Sequence, residues 1–245
     1  MDISKNIKIV DLGLKIGKTL ILADLHIGYE EALNKQGLMV PRFQFKDLQE
    51  RLEKILKKAN PDVIVVNGDI KHEFGRISGQ EWRETLKILD LLARNSKRVI
   101  LVRGNHDKKL GPIAKKRDIE VVDEYEIGGD DIKGREGKIL VVHGDKETRL
   151  PKNTRTIIIG HEHPAVSIRE GQRTETFKCF LKGKYRGKEL IVMPSCNLVT
   201  EGSDITKEGV LSPFLKQRLD DFEVFVVEDA ESDKIYRFGK LKNIR

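Results

Sequence analysis

The sequence predicts an α/β fold in which two packed β-sheets are flanked by helices, and three observations carry that expectation. β-branched runs alternate with helical stretches over the first hundred or so residues, which implies βαβ units and parallel strands. From residue 119 onward strand-like runs recur at short spacing with few helices between them, enough for a second sheet packed on the first. The apolar runs that end near residues 23, 66, 102, 142 and 159 each give way to Asp, Asn or His. In open α/β sheets such strand ends converge on one ligand crevice.

Taken in order, residues 7–16 and 18–23 read as two short strands about a turn at Gly17. Residues 28–36 look helical and Gly37 ends that helix. Pro41 then opens a helix to Ala59, with Phe45, Leu48, Leu52, Ile55, Leu56 and Ala59 at helical spacing. Residues 63–66 form a β-branched run that leads into Asn67-Gly68-Asp69. A second amphipathic helix over 79–95 sets Trp82, Leu86, Leu89 and Leu92 on one face, and 99–102 is the next strand. Further strands are expected around 119–122, 139–142, 156–159, 176–181, 189–193 and 223–227. The motifs run unbroken from residue 24 to 163, so a single domain over 1–245 is expected, with its C-terminal strands in 164–245.

At 245 residues the chain is long enough for a full hydrophobic core. The segment MDISKNIKIV has no long apolar stretch of the secretory kind, and no run approaches the ~20 apolar residues of a spanning helix. The expectation is a cytoplasmic protein with no membrane partner. Cys179 and Cys196 have neither metal nor redox spacing, and two thiols in such a chain suggest a reducing interior. A net charge of +7 favours polyanionic partners and would collect phosphate esters. A charged fraction of 35%, rich in Lys, Arg and Glu, also leans toward the pattern reported for thermophile proteins.

All six histidines lie in the polar motifs: ADLH (Asp24, His26), NGDIKH (Asp69, His72), RGNHD (Asn105, His106, Asp107), VVHGD (His143) and GHEH (His161, His163). Asp, Asn and His without Cys make a nitrogen-and-oxygen shell suited to divalent metals. Asp24 and His26, two apart, would point to one side of an extended strand end. Asp69 is expected to bridge two ions, and Asn105 to offer a neutral oxygen that leaves them electrophilic. His143, His161 and His163 complete seven ligands for two divalent ions, manganese first, with iron, zinc, cobalt or nickel as alternatives. Such a pair clamps an in-line displacement at phosphorus. His106, beside Asp107, is left to protonate a leaving oxygen or neutralise phosphoryl charge, and His72 is a further surplus imidazole.

The ordered set D-x-H, G-D-x-x-H, G-N-H-D, V-V-H-G-D and G-H-E-H resembles the calcineurin-like metallophosphoesterase superfamily. Glycines 68, 104, 144 and 160 fit as turn residues with positive φ. The resemblance implies two mixed sheets flanked by helices. It also implies that Asp24, His26, Asp69 and His163 hold one metal, that Asp69, Asn105, His143 and His161 hold the other, and that His106 is the catalytic histidine. G-D-I-K-H resembles the SbcD-type nucleases, in which the second histidine, here His72, assists the first. A-D-L-H-I-G-Y-E is similar to small uncapped relatives from archaea and from bacterial DNA-ligase-associated gene sets.

The implied function is a phosphodiesterase acting on DNA or RNA by in-line attack of a metal-bound hydroxide. Alternatives are a phosphodiesterase for small nucleotides or other soluble diesters, and a scaffold of the same fold like retromer's phosphoesterase-like subunit. No oligomeric state is set, a dimer being the simplest allowed. Basic clusters at Lys108, Lys109, Lys115, Lys116 and Arg117, and at Lys178, Lys182, Lys184, Arg186 and Lys188, are expected either to track a phosphate backbone or to form a solvated face.

Overall fold

A computed structural model describes residues 1–39, 44–73, 78–108, 110, 116–117, 119–128, 137–228 and 234–244. The first sheet runs in chain order: β1 (Asp2–Ser4), β2 (Ile7–Val10), β3 (Gly13–Ile16), β4 (Thr19–Ala23), β5 (Val63–Asn67), β6 (Arg98–Val102) and β7 (Glu120–Val122). β1 to β4 form an antiparallel meander, and β4 to β7 pair in parallel. The parallel part needs helical crossovers. These are α1 (Tyr29–Lys35) and α2 (Gln44–Ala59) before β5, and α3 (Gly79–Arg94) before β6. α2 packs on α3 and β2, and α3 packs on β6.

The helices form where the apolar spacing placed them. Leu48, Leu52, Ile55, Leu56 and Ala59 are the buried face of α2, and Ile88, Leu89 and Leu92 that of α3. Trp82 and Leu86 are only partly buried, and the Lys116 ammonium lies 5.4 Å from the Trp82 ring centroid. Ser78 caps α3 by accepting from the Glu81 amide at 3.0 Å. Gly37 follows α1 with φ 88°, while Pro41 lies outside the described residues.

The stretch 7–16 is two strands and not one. Asp11, at φ 53°, turns the chain between β2 and β3, and its carboxylate takes three hydrogen bonds from Arg51 of α2 at 2.6–3.1 Å. Both residues are buried. Removing one partner leaves a buried charge uncompensated, so Asp11→Ala should lower stability by about 3–5 kcal/mol in urea unfolding. A loss under about 1 kcal/mol would show that water reaches Arg51 freely.

The second sheet contains β8 (Glu124–Ile127), β9 (Lys138–Val142), β10 (Thr154–Ile159), β11 (Pro164–Glu170), β12 (Arg173–Tyr185), β13 (Lys188–Val192) and β14 (Ser203–Asp204). Its order is β14-β11-β12-β13-β10-β9-β8, with β15 (Glu223–Val227) on β12 and β16 (Ile235–Lys240) on β15. β9, β10 and β13 are parallel; β8, β12, β15 and β16 are antiparallel to their neighbours.

Side chains alternate along these strands between two cores. Val141, Ile158, Phe180, Ile191 and Phe225 join the core shared with the first sheet and its helices. Val142, Ile157, Cys179, Leu190 and Val224 join a second cluster with Ile205, Phe214, Leu215, Phe222 and Leu241. With both faces buried, these strands read as continuous apolar runs and not as an alternating pattern. Cys179 and Cys196 are buried free thiols, as expected, and burial pushes the Cys196 thiol up to about 12. No helix among the described residues is long and apolar enough to cross a membrane.

Candidate metal centre

Every residue expected to bind metal sits just past the carboxyl end of a parallel strand. Asp24 and His26 follow β4, Asp69 follows β5, Asn105 follows β6, His143 follows β9, and His161 and His163 follow β10. The two sheets present these ends side by side. The Gly160 amide donates to the His143 carbonyl at 2.9 Å, and the His161 amide donates to Asp24 Oδ2 at 3.0 Å across the gap between sheets.

Among the described residues three donor groups have ligating atoms within 4.8 Å of one another: His26, His72 and His106, and two made of expected ligands alone, Asp24, His26 and His163, and Asp69, His143 and His161. Asp69 Oδ2 lies between the latter two, 3.3 Å from His143 Nε2 and 3.8 Å from His26 Nε2. His26 and His163 bring their Nε2 atoms to 3.2 Å, and Asn105 Oδ1 is 3.0 Å from His143 Nε2. The fully buried Asp24 carboxylate receives no hydrogen bond on Oδ1, although His163 Nε2 at 3.4 Å and His143 Nδ1 at 3.6 Å face it. An orphaned buried carboxylate oxygen among imidazole nitrogens is what a cation would satisfy. The residues therefore fit two divalent ions of the nitrogen-and-oxygen-binding kind.

The electrostatics agree. Burial alone would raise Asp24 and Asp69, yet the neighbouring imidazoles outweigh it and hold both carboxyls below their ordinary values. His143 is driven the other way: burial lowers it, but Asp69 and Asp24 raise it to about 9. His26 falls to about 3, first through burial and then through His163, and burial also lowers His161. The pocket thus favours positive charge at the carboxylates while leaving two of its imidazoles neutral and free to ligate.

The local backbone differs from the extended strand end that the spacing of Asp24 and His26 suggested. Asp24, His26, Asp69, His161 and His163 have φ of 53°, 44°, 46°, 64° and 48°. They are five of the nine non-glycine residues with positive φ among those described. Each such conformation costs on the order of 1–3 kcal/mol and persists only where the surroundings over-determine it. The loop after β13 supplies much of that restraint at β4: Ser195 Oγ donates to the Asp24 carbonyl at 2.6 Å, and Asn197 Nδ2 reaches the carbonyls of Leu25 and His26 at 3.3 Å.

Gly68 and Gly144 do have positive φ, at 78° and 104°, and Gly68 is crowded as well, a Cβ there lying 2.0 Å from His143 Nδ1. Gly104 and Gly160 do not, and are required instead by close approach. A Cβ on Gly104 would lie 2.1 Å from Asp69 Oδ1, and one on Gly160 2.5 Å from Asp24 Oδ2.

His106 and His72 lie beside the donor groups, with ring centroids 5.4 Å apart. The His106 amide donates to Asp69 Oδ1 at 2.9 Å, its Nδ1 sits on the His72 carbonyl, and its Nε2 is 3.8 Å from Asp69 Oδ2. Tyr29 of α1 stacks on the His72 ring at 4.1 Å and 26°. Burial, then His106, lowers His72 to about 4, so it is neutral near pH 7. Asp107 turns away from the open side: it is buried and accepts from the Gly104 amide at 3.0 Å. Its carboxyl rises to about 6 through burial and then Asp69.

Sequence reasoning gave no part to Tyr29, Lys71, Glu162, Ser195 or Asn197. Glu162, between two ligands, is fully buried and accepts from the amides of Leu211 and Ser212 at 2.9 and 2.7 Å. It thereby ties the ligand loop to the segment covering the second sheet. Tyr29, Lys71 and Glu162 lie inside the quoted motifs, which is the available signal for them.

Among the described residues, several members of the basic clusters are already paired within the protein. Lys178 is buried on the Thr200 carbonyl, Lys188 donates to Thr154, Lys182 and Arg186 pair with Glu189 and Glu147, and Arg117 pairs with Asp90. Lys109 and Lys115 lie outside the described residues.

Residues 17–216 match the family model described as calcineurin-like phosphoesterase. Among solved structures the chain is similar to nuclease MPE of Pseudomonas putida, with a TM-score of 0.62 and 17% identity over 95% of this chain and 94% of that one. At that identity the likeness speaks for the fold alone. The chain is also similar to Yfce, a phosphoesterase from E. coli, with a TM-score of 0.46 and 12% identity over 91% and 98% of the two chains. The zinc complex of Vps29 from Entamoeba histolytica gives a TM-score of 0.38 and 14% identity over 90% and 98%. No curated protein matches the sequence.

Proposed function

The chain belongs to the calcineurin-like phosphoesterase family, and from that premise we propose that it is a dinuclear-metal phosphodiesterase acting on nucleic acid, of the SbcD-related uncapped kind. The observation that carries this reading is Asp69, whose one carboxylate faces both donor groups beside the orphaned oxygen of Asp24. Asp24, His26, Asp69 and His163 would hold one ion, and Asp69, Asn105, His143 and His161 the other, manganese being the first choice. Bound there, the ions would supply Lewis acidity and a nucleophile near neutral pH. The proposed unit is the whole of 1–245, and a reducing cytoplasmic setting suits its two buried thiols.

The protein's own groups do the rest. His106 has Nδ1 committed to the His72 carbonyl, which fixes the ring; as the imidazolium it would give its Nε2 proton to the leaving oxygen and revert to the neutral Nδ1–H form. Asp107 holds the turn that carries His106. The His72 imidazole, neutral near pH 7, packs against the Tyr29 and His106 rings and so holds the His106 ring that the His72 carbonyl also takes by Nδ1. The lysine acting on His72 is Lys71, whose ammonium is already committed to backbone carbonyls. That corner therefore offers little to the second negative charge of a phosphate monoester, and a diester monoanion suits it better.

Diesters should be preferred over monoesters by at least ~10-fold in kcat/KM, about 1.4 kcal/mol of transition-state discrimination. The test is manganese-dependent turnover of bis(para-nitrophenyl) phosphate against para-nitrophenyl phosphate, beside single- and double-stranded DNA. His72→Asn should erode diester turnover more than residual monoester turnover. Equal or faster monoester hydrolysis by the wild-type protein would sink the diesterase reading. Diester turnover with intact DNA would move the substrate to small soluble diesters.

A further inference from the structure

Lys71 is fully buried, between the shared carboxylate of Asp69 and His72. An ammonium there has to be hydrogen bonded. Its Nζ donates to the His106 carbonyl at 2.6 Å and also to the Glu73 carbonyl. The first belongs to the loop after β6 and the second to the loop after β5, so one side chain ties the two loops together. Through it, His106 is gripped at its backbone nitrogen by Asp69, at its backbone oxygen by Lys71, and at ring Nδ1 by the His72 carbonyl. All three partners come from residues 69–72. That loop is itself fixed from α3, where the buried Glu81 carboxylate accepts from the amides of His72 and Glu73 at 3.1 and 2.9 Å.

We propose that Lys71 is a positioning residue for His106: by holding the peptide carbonyl of His106 it aims the imidazole at the leaving oxygen. The proposal rests on the reading of His106 as proton donor. Misplacing a catalytic group by about an ångström can cost ~10²-fold even when the group is intact. Methionine is close to lysine in length and leaves no unpaired buried charge, so Lys71→Met removes the tether with little cavity. The two carbonyls lose their donor, and the peptide after His106 is released.

A positioned acid matters most when the leaving group is poor, because nitrophenolate departs without help. In manganese-loaded Lys71→Met, kcat on diphenyl phosphate should fall about 10–100-fold and kcat on bis(para-nitrophenyl) phosphate less than about 3-fold. KM and metal content should stay near wild type. In a His106→Ala background the same change should have little further effect, since two changes acting through one group do not add. If Lys71→Met folds poorly, Lys71→Gln, which keeps one donor, should give the same leaving-group pattern at smaller amplitude.

Equal losses on both substrates, or additivity with His106→Ala, would mean that Lys71 only supports the fold and would overturn the proposal. If His106→Ala itself shows no leaving-group dependence, the proton-donor reading fails instead. The two failures are thus distinguishable.

Discussion

Asp69→Ala should empty both metal positions and lower turnover of any phosphodiester by at least ~10³-fold. Its Oδ2 atom faces both donor groups, at 3.3 Å from His143 and 3.8 Å from His26. Its Oδ1 atom receives the His106 amide, so the substitution also releases the proton donor from the loop that aims it. Alanine in addition removes a residue type that tolerates the φ of 46° found here. Asp69→Asn separates these effects, because asparagine accepts that backbone conformation and keeps an acceptor for His106 while losing the charge. Metal analysis by mass spectrometry decides the matter. Two ions per chain retained in Asp69→Ala would remove Asp69 from its bridging role.

His106→Ala should cut kcat on diesters with a poor leaving group, such as diphenyl phosphate, by ~10²–10⁴-fold, the usual worth of a positioned proton donor, with metal content near that of wild type. His106 forms a third donor group with the ligand His26 and with His72, but its ring is anchored through Nδ1 to the His72 carbonyl. Its backbone amide bond to Asp69 survives the substitution, so the bridging carboxylate keeps that partner. The comparison is kcat against bound metal in the same preparation. Parallel loss of an ion and of activity would move His106 into the ligand shell.

The strands missed in the sequence, the three-residue β1 (DIS) among them, are short, polar or led by proline. β8 and β16 carry charged or aromatic side chains with little burial, as in EYEI and IYRFGK, and so lack the apolar signal of a packed strand. β11 opens on Pro164, which reads as a break, and β14 is two residues long. The strands found early are those buried on both faces, where apolar runs are obligatory.

What the sequence determined by itself was local: apolar runs that must be buried as strands, and Asp, Asn and His at the point where each run stops. In parallel sheets those stops share one edge, so the donors gather whatever the loops do. Tertiary structure decided what depends on partners distant in the chain. Ser195 restrains Asp24 from 171 positions away, and Lys71 reaches the His106 carbonyl 35 positions on. It also decided why the glycines are there. Gly68 is needed both for its φ of 78° and because His143 Nδ1 occupies the space of a Cβ, whereas Gly104 and Gly160 are needed only because a carboxylate oxygen from another strand end occupies that space. A motif records that a small residue is required. Whether conformation or crowding requires it is set by atoms that meet only after the two sheets have packed.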